Sequence, residues 1–492
     1  MDKGYEPVIG LEVHVQLATA SKMFCGCNAA AFGHEPNTLT CPICTGQPGV
    51  LPVINQQAVE FAIMAGLALN CRIASFTKWD RKNYHYPDLP KGYQISQYDL
   101  PLAVNGWVMV ETNAEQKRIG IRRAHLEEDT GKLVHRGDHS LVDLNRAGVP
   151  LLEIVTEPDI RSAEEAYDFL TKLRTLLRYL KISTADMEKG AMRCEPNISL
   201  RPAGTNEWGT LTEIKNLNSF RSVRAALAYE TTRQENVLTT GGRVKRLTMG
   251  WDEQRNITFP QRSKETANDY RYFPEPDLPP LVVQPEWLDR LRSQLPELPD
   301  VVKARFVVDY GLSDYDAAVL VADQAVARFF QDAMAACPAQ EPVDRHAQAK
   351  TISNWITGDL FRLMNECGLA VEEMRMTPAE LVGLVNLVRR GAISTGTARE
   401  VLAEMVKQGD SAEAIVQRRE LAQISDQGTL EGIAGQVIEN HPGEVAQYLS
   451  GKESLLQWLM GQVMRTTQGK ANPARVLALL KEKLEAKRSG QP

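Results

Sequence analysis

A chain of 492 residues is long enough for two to four domains, and 43% hydrophobic with 24% charged residues is enough for an ordinary globular core. No run approaches the ~18–20 apolar residues of a membrane span, and the N-terminus lacks the apolar core and cleavage site of a signal peptide, so a cytoplasmic protein with no membrane partner is expected. The net charge of −6 argues against a uniformly basic nucleic-acid binder, although binding depends on local patches.

The chain begins with VIGLEVHVQL, whose alternation from Leu11 to Leu17 predicts a strand. Glu12 and His14 lie two apart on it and share one face; an ordinary polar strand edge is the alternative reading. Four of the eight cysteines follow, Cys25, Cys27, Cys41 and Cys44, in a C-x-C-x13-C-x2-C arrangement. Two close pairs joined by a short loop suit a tetrahedral four-thiolate zinc site, and such a site is structural because it leaves no open position for chemistry. Disulfides are not expected in a reducing cytosol.

Residues 79–99 interleave Arg81, Lys82 and Lys91 with tyrosines, a composition that suits nucleotide phosphates or bases but also an ordinary surface loop. HLEED, 125–129, ends a second strand-like run with three acids, Glu127 and Glu128 among them. Glu153 stands inside the apolar run VPLLEIV, where a carboxylate costs several kcal/mol unless it is paired or metal-bound. Several carboxylates with one imidazole suit Mg²⁺ or Mn²⁺ together with phosphate. Nothing in the sequence shows that these strands meet.

Ser162 and Glu165 predict a capping box opening a helix, with Ala166, Leu170, Leu173 and Leu177 as its apolar face. Lys215, Asn216 and Arg221 are placed at the start of another helix, capped by Asn218 or Ser219. Five prolines in 274–285 mark a boundary, after which the pattern turns helical: Thr377, Pro378 and Glu380 open one helix and Pro473 the last. The fold class expected is α+β, an N-terminal mixed antiparallel-sheet domain over 1–290, an all-α domain over 291–405 and a small helical tail over 406–492. Residues 461–492 hold seven Lys or Arg against two Glu. P-loop, dinucleotide-binding and nucleophile-elbow motifs are all missing, so any ATP is bound in another way.

Together, VIGLEVHVQL, FCGC, CPIC, DRKNYHYPDLPKGYQIS, HLEEDTGK, VPLLEIVTEPD, MRCEPNISLRP, EIKNLNSFR and DYRYFPEPDLPPL, with NWITGDL, GAISTGTAREVL and GKANPARVLALL further on, resemble the B-subunit family of the aspartyl/glutamyl-tRNA(Asn/Gln) amidotransferases over almost the whole chain. The resemblance implies an ATP- and Mg²⁺-dependent ligase. It phosphorylates the side-chain carboxylate of Glu-tRNA(Gln) or Asp-tRNA(Asn), and ammonia then displaces the phosphate. It implies a catalytic cradle domain, an amidase-type A subunit that releases ammonia from glutamine, and a small C subunit completing a heterotrimer. Carried over by position, the metal ligands fall on Glu12, His14, Glu127 or Glu128, and Glu153, with Glu127, Glu153 and Lys82 catalytic. Arg81, Lys82, Asn83, Lys215 and Asn216 match phosphate-binding or channel segments, the four clustered cysteines match a structural zinc knuckle, and Lys470 and Asn472 match a tRNA-contacting tail. The competing expectation is a zinc-containing tRNA-binding module without catalysis; acids facing phosphate argue against it unless a cation intervenes.

Overall fold

The computed structural model describes residues 4–112, 115–263, 269–337, 344–422, 427–467 and 470–489. The chain divides into two compact units, one ending at Pro299 and one starting at Asp300.

The first unit is organised by a nine-stranded sheet. The strands used below are β1 (Tyr5–Gln16), β2 (Arg72–Ile73), β3 (Asp80–Asn83), β4 (Tyr93–Ser96), β5 (Ala103–Thr112), β6 (Glu115–Glu128), β7 (Pro150–Thr156), β8 (Met192–Pro202), β9 (Thr212–Lys215), β10 (Leu247–Asp252) and β11 (Ile257–Ser263). The sheet order is β11-β10-β9-β8-β1-β7-β6-β5-β2. Its pairs are antiparallel except β9 with β10, which fits runs of strands without strict β-α alternation. β3 and β4 form a small separate sheet with Phe273–Pro274.

Alternation fixes which face of the large sheet is apolar. Leu11, Val13 and Val15 of β1, Leu152 and Ile154 of β7, Ala124 and Leu126 of β6, and Met192 and Cys194 of β8 are all buried in one core. Helices α1 (Gln56–Ala68), α2 (Ala163–Tyr179) and α3 (Phe220–Thr239) supply the rest of that core. Each large aliphatic side chain so buried contributes roughly 1.5–3 kcal/mol. A one-residue slip of any central strand would exchange the two faces, so this core also fixes which side chains appear on the opposite, polar face.

One cap differs in detail from expectation, and a second falls on one of its two expected residues. Ser162 caps α2 by accepting from Glu165 N, but the Glu165 carboxylate accepts from Arg161 N (2.8 Å) and Lys117 rather than closing the box on Ser162. Ser219, not Asn218, caps α3. The expected domain boundary at 290 falls inside a helix, Pro285–Ser293. Leu291 of that helix is in the first core, and Trp287 Nε1 donates to Glu60 Oε1 of α1 at 3.0 Å, which keeps the helix with the first unit.

Gly106 of β5 is needed for close packing. A Cβ there would sit 2.3 Å from Cys71 Sγ and 2.5 Å from Leu69 O. Gly106→Ala is therefore expected to cost about 1–3 kcal/mol, read as a lower urea midpoint of the whole chain.

The second unit is helical and holds two hydrophobic clusters. One is built around Phe306, Phe330, Ile352, Leu381 and Leu402; the other around Leu430, Leu459, Val463, Val476 and Leu480. Thr377 and Glu380 form the expected reciprocal capping box, with Pro378 in the first turn. The last helix, Pro473–Arg488, is capped by Asn472, whose side-chain oxygen accepts from Ala474 N and Arg475 N. No helix among the described residues is long and apolar enough to cross a membrane.

Candidate active site and cysteine knuckle

The register of the central strands places four polar residues in one row. His14 pairs with Glu153 across β1 and β7, Glu153 with His125 across β7 and β6, and His14 with Arg193 across β1 and β8. Their side chains occupy the face opposite the core and line a cavity of about 1030 Å³. His14 Nε2 lies 3.3 Å from Glu153 Oε2, and His125 Nε2 lies 3.5 Å from the same carboxylate and 3.3 Å from Glu127 Oε1.

Glu127 is fixed from the small sheet. Ser96 Oγ donates to its Oε1 at 2.7 Å and Gln94 Nε2 to its Oε2 at 3.0 Å, while Lys82 Nζ stands 4.0 Å from Oε1. The same lysine lies over the Tyr270 ring. Beside this group, Asn197 Nδ2 donates to Glu12 Oε1 at 3.0 Å, and Lys215 Nζ pairs with Glu195 at 2.8 Å.

These surroundings set the protonation states. Burial opposes the charge on Glu127, but Lys82 and then His125 outweigh it and hold the carboxyl far below the usual range. Glu153 is held at about 2, burial again being outweighed, here by His125 and His14 against the repulsion of Glu127. His14 is raised: burial disfavours its cation, and the hydrogen bond and charge of Glu153 favour it more strongly. Glu12 is pushed up by burial and by the charges of Glu153 and Glu195. The site thus gathers more negative charge than its lysines and histidines relieve at Glu12.

One ligand atom each from His14, Glu127 and Glu153 lies within 4.8 Å of the others, close enough for a single ion to reach all three. One imidazole and two carboxylates fit a divalent cation of hard to borderline character. Glu12 lines the same cavity. Glu128 does not. Successive side chains on a strand point oppositely, and Glu128 turns to the far side, where Lys91 and the Ile95 N–H hold its carboxylate beside Cys44. Asp129 is engaged elsewhere, by Arg193 at 2.8 Å and Gln16 at 2.8 Å.

Arg81 and Asn83 brace neighbouring segments and do not line the cavity. Arg81 makes a bidentate pair with Glu275, at 2.7 and 2.8 Å, and stacks on Tyr93. Asn83 donates to Arg271 O at 2.8 Å, where Arg271 turns through a left-handed φ of 44°. This corner places Tyr270 and Tyr272 in the cavity wall. Lys215 ends β9 instead of starting a helix. Asn216 follows at φ 62°, exposed and outside the cavity lining, a turn role that asparagine tolerates well.

Sequence reasoning missed His125, Ser96, Gln94 and Asn197. His125 was open to discovery, because i, i+2 spacing on a strand puts it on the face of Glu127. Ser96, Gln94 and Asn197 carried no local signal.

The four cysteines meet in the segment between β1 and α1. One sulfur from each lies within 4.8 Å of the others, which fits a four-thiolate zinc site. Lys22 gives independent support. It is fully buried, and its ammonium reaches Leu39 O at 2.7 Å and Cys44 Sγ at 3.6 Å. The Cys44 thiol is pulled down to about 4, first by a hydrogen bond from Cys25 and also by Lys22; Cys25 moves up in return.

Residues 7–289 match the family model described as the GatB/GatE catalytic domain, and residues 340–484 match the GatB domain. Among curated proteins the chain is 52% identical over 484 residues to the B subunit of the aspartyl/glutamyl-tRNA(Asn/Gln) amidotransferase of Moorella thermoacetica, spanning 98% of this chain and 100% of that one. It is 51% identical over 486 residues to the protein of the same description in Caldicellulosiruptor saccharolyticus, spanning 98% of this chain and 99% of the relative. With its polar row, its cysteine knuckle and this full-length similarity, the chain belongs to the B-subunit family of the aspartyl/glutamyl-tRNA(Asn/Gln) amidotransferases.

Proposed function

We propose that the cavity activates the side-chain carboxylate of glutamate or aspartate carried on tRNA(Gln) or tRNA(Asn). A carboxylate oxygen takes the γ-phosphoryl group of ATP and ADP leaves. The nitrogen of ammonia then bonds to the acyl carbon, phosphate leaves with the former carboxylate oxygen, and a proton is lost from nitrogen to give the amide. The observation that supports this most strongly is the His14–Glu153–His125 row with Glu127 beside it in the lining of one cavity.

His14, Glu127 and Glu153, with Glu12 next to them, would hold Mg²⁺ or Mn²⁺. When bound, such an ion neutralises phosphate charge. Lys82 keeps Glu127 anionic and adds a positive charge at the cavity wall; Ser96 and Gln94 fix the direction of the carboxylate. Lys215 is the cation offered to a phosphate on the β9 side. The cysteine site holds zinc and is structural. Lys470 and Asn472 stand at the start of the last helix, in a tail that contacts tRNA phosphates. An amidase-type A subunit supplies ammonia, a small C subunit completes a heterotrimer, and the assembly works in the cytoplasm, where thiols stay reduced.

The test mixes the assembled complex with ATP, Mg²⁺, glutamine and Glu-tRNA(Gln) or Asp-tRNA(Asn), and separates the aminoacyl products. Gln-tRNA(Gln) or Asn-tRNA(Asn) is expected, with ADP formed in step. Retention of tRNA without either product would instead mark a binding module.

A further inference from the structure

The cavity rim carries groups that the carboxylate chemistry leaves unused. Trp208 lines the cavity, yet it is 75% exposed. Indoles are large apolar groups that folding normally covers for the most part. The backbone beside it is held close to the sheet: a Cβ on the neighbouring Gly209 would sit 2.1 Å from Leu200 O of β8.

Arg246 lines the same cavity and is exposed, as are Arg243 and Lys245 just before it. Around the sheet, arginines are commonly paired: Arg122 with Glu157, Arg193 with Asp129, Arg201 with Glu6. Arg243, Lys245 and Arg246 make no ion pair among the described residues. In a chain of net charge −6 this is an unpaired positive loop, and it leads into β10 next to β9, the strand that follows the Trp208 loop, with Trp208 and Arg246 in the lining of one cavity.

We propose that Trp208 and the 243–246 loop form a subsite for the single-stranded 3′ end of tRNA, a base stacking on the indole while backbone phosphates lie along the loop cations. A flat exposed ring next to a basic track is the combination that grips single-stranded nucleic acid without reading its sequence. The subsite rests on the transamidation reading, in which the reacting amino acid is esterified to that end. A polynucleotide fits better than the nucleoside triphosphate. Three cations along an exposed loop suit the several phosphates of a polynucleotide backbone, whereas ATP brings a single triphosphate whose terminal group is committed to the reacting carboxylate.

The experiment compares wild type, Trp208→Ala, Trp208→Phe and a combined Arg243→Ala, Lys245→Ala, Arg246→Ala variant of the full chain in its complex. Kd is measured for intact tRNA and for tRNA trimmed of its 3′ single-stranded nucleotides, and KM for ATP alongside. Trp208→Ala should weaken intact tRNA about tenfold, with most of the loss restored by Trp208→Phe. The triple variant should lower the slope of log Kd against log salt by about two. All variants should bind trimmed tRNA as wild type does and keep the KM for ATP. Unchanged binding of intact tRNA by Trp208→Ala overturns the subsite alone. So does a loss that persists on trimmed tRNA, or a rise confined to the KM for ATP, which would make the nucleotide base the occupant. A wild-type complex that binds no tRNA would remove the transamidation reading and this subsite with it.

Discussion

Glu153→Gln should slow amide formation by about a hundred- to a thousandfold while the amidase-type partner proposed above continues to hydrolyse glutamine. The magnitude is that of removing one preorganised electrostatic group from a transition state. Glu153 sits where three strands meet, within 3.5 Å of both His14 and His125 and with a ligand atom close to one of Glu127. Glutamine keeps the shape of the side chain and removes its charge, so cation binding is lost without leaving a cavity. Single-turnover conversion of Glu-tRNA(Gln) measures the effect, and a glutaminase assay on the same sample shows that the complex is intact. Wild-type amidation by the variant would remove Glu153 from the reaction.

The same substitution carries a pH signature. The folded chain holds the Glu153 carboxyl at about 2, against an ordinary 4.5. A depressed pKa contributes stability that is fully present above about 4.5 and is lost as pH falls from there toward 2. In urea titrations across that window, the Gln variant should lose less stability than wild type.

The sequence carried part of this site because strands have a period of two. Alternation from Leu11 to Leu17 was enough to put Glu12 and His14 on the face away from the core, and the apolar run around Glu153 announced a carboxylate in need of a partner. What the period could not supply was register. HLEED read as one acidic cluster, but the pleat sends Glu127 into the cavity and Glu128 to the cysteine side, and Asp129 is taken by Arg193. Arg81 and Asn83, matched by resemblance to a phosphate-binding or channel segment, have their partners, Glu275 and the Arg271 carbonyl, almost two hundred residues away in sequence, beyond any local pattern. The helix capped at Ser219 is where the sequence placed it, but Lys215 and Asn216 stand outside it for a local reason: Asn216 turns the chain through a left-handed conformation between the strand and the cap.

Cys44→Ser is the second large effect expected, on stability rather than on chemistry. The variant complex should lose one bound zinc per chain, and its melting temperature should fall by at least about 5 °C, since a metal site of this kind is worth several kcal/mol of folding energy. The segment from Thr19 to Asn55 contains no helix or extended strand among the described residues. Its apolar anchors are few, chiefly Met23 and Phe24, the latter packed edge-on against Trp79. Lys22 sharpens the expectation: its fully buried ammonium has a backbone carbonyl and the Cys44 sulfur as partners, and of these the sulfur is the one that can carry a negative charge. Serine cannot carry that charge near neutral pH, so the substitution removes one of the four sulfurs proposed to hold zinc and leaves a buried cation without its counter-charge. Lys22→Met separates the two contributions. It keeps four thiolates and should retain the zinc while losing only part of the stability. Because Glu128 and Lys91, not the His14–Glu153–His125 row, line the space next to Cys44, amidation by either variant should persist below its melting temperature. Full zinc occupancy in Cys44→Ser would show that the four sulfurs do not act as one site.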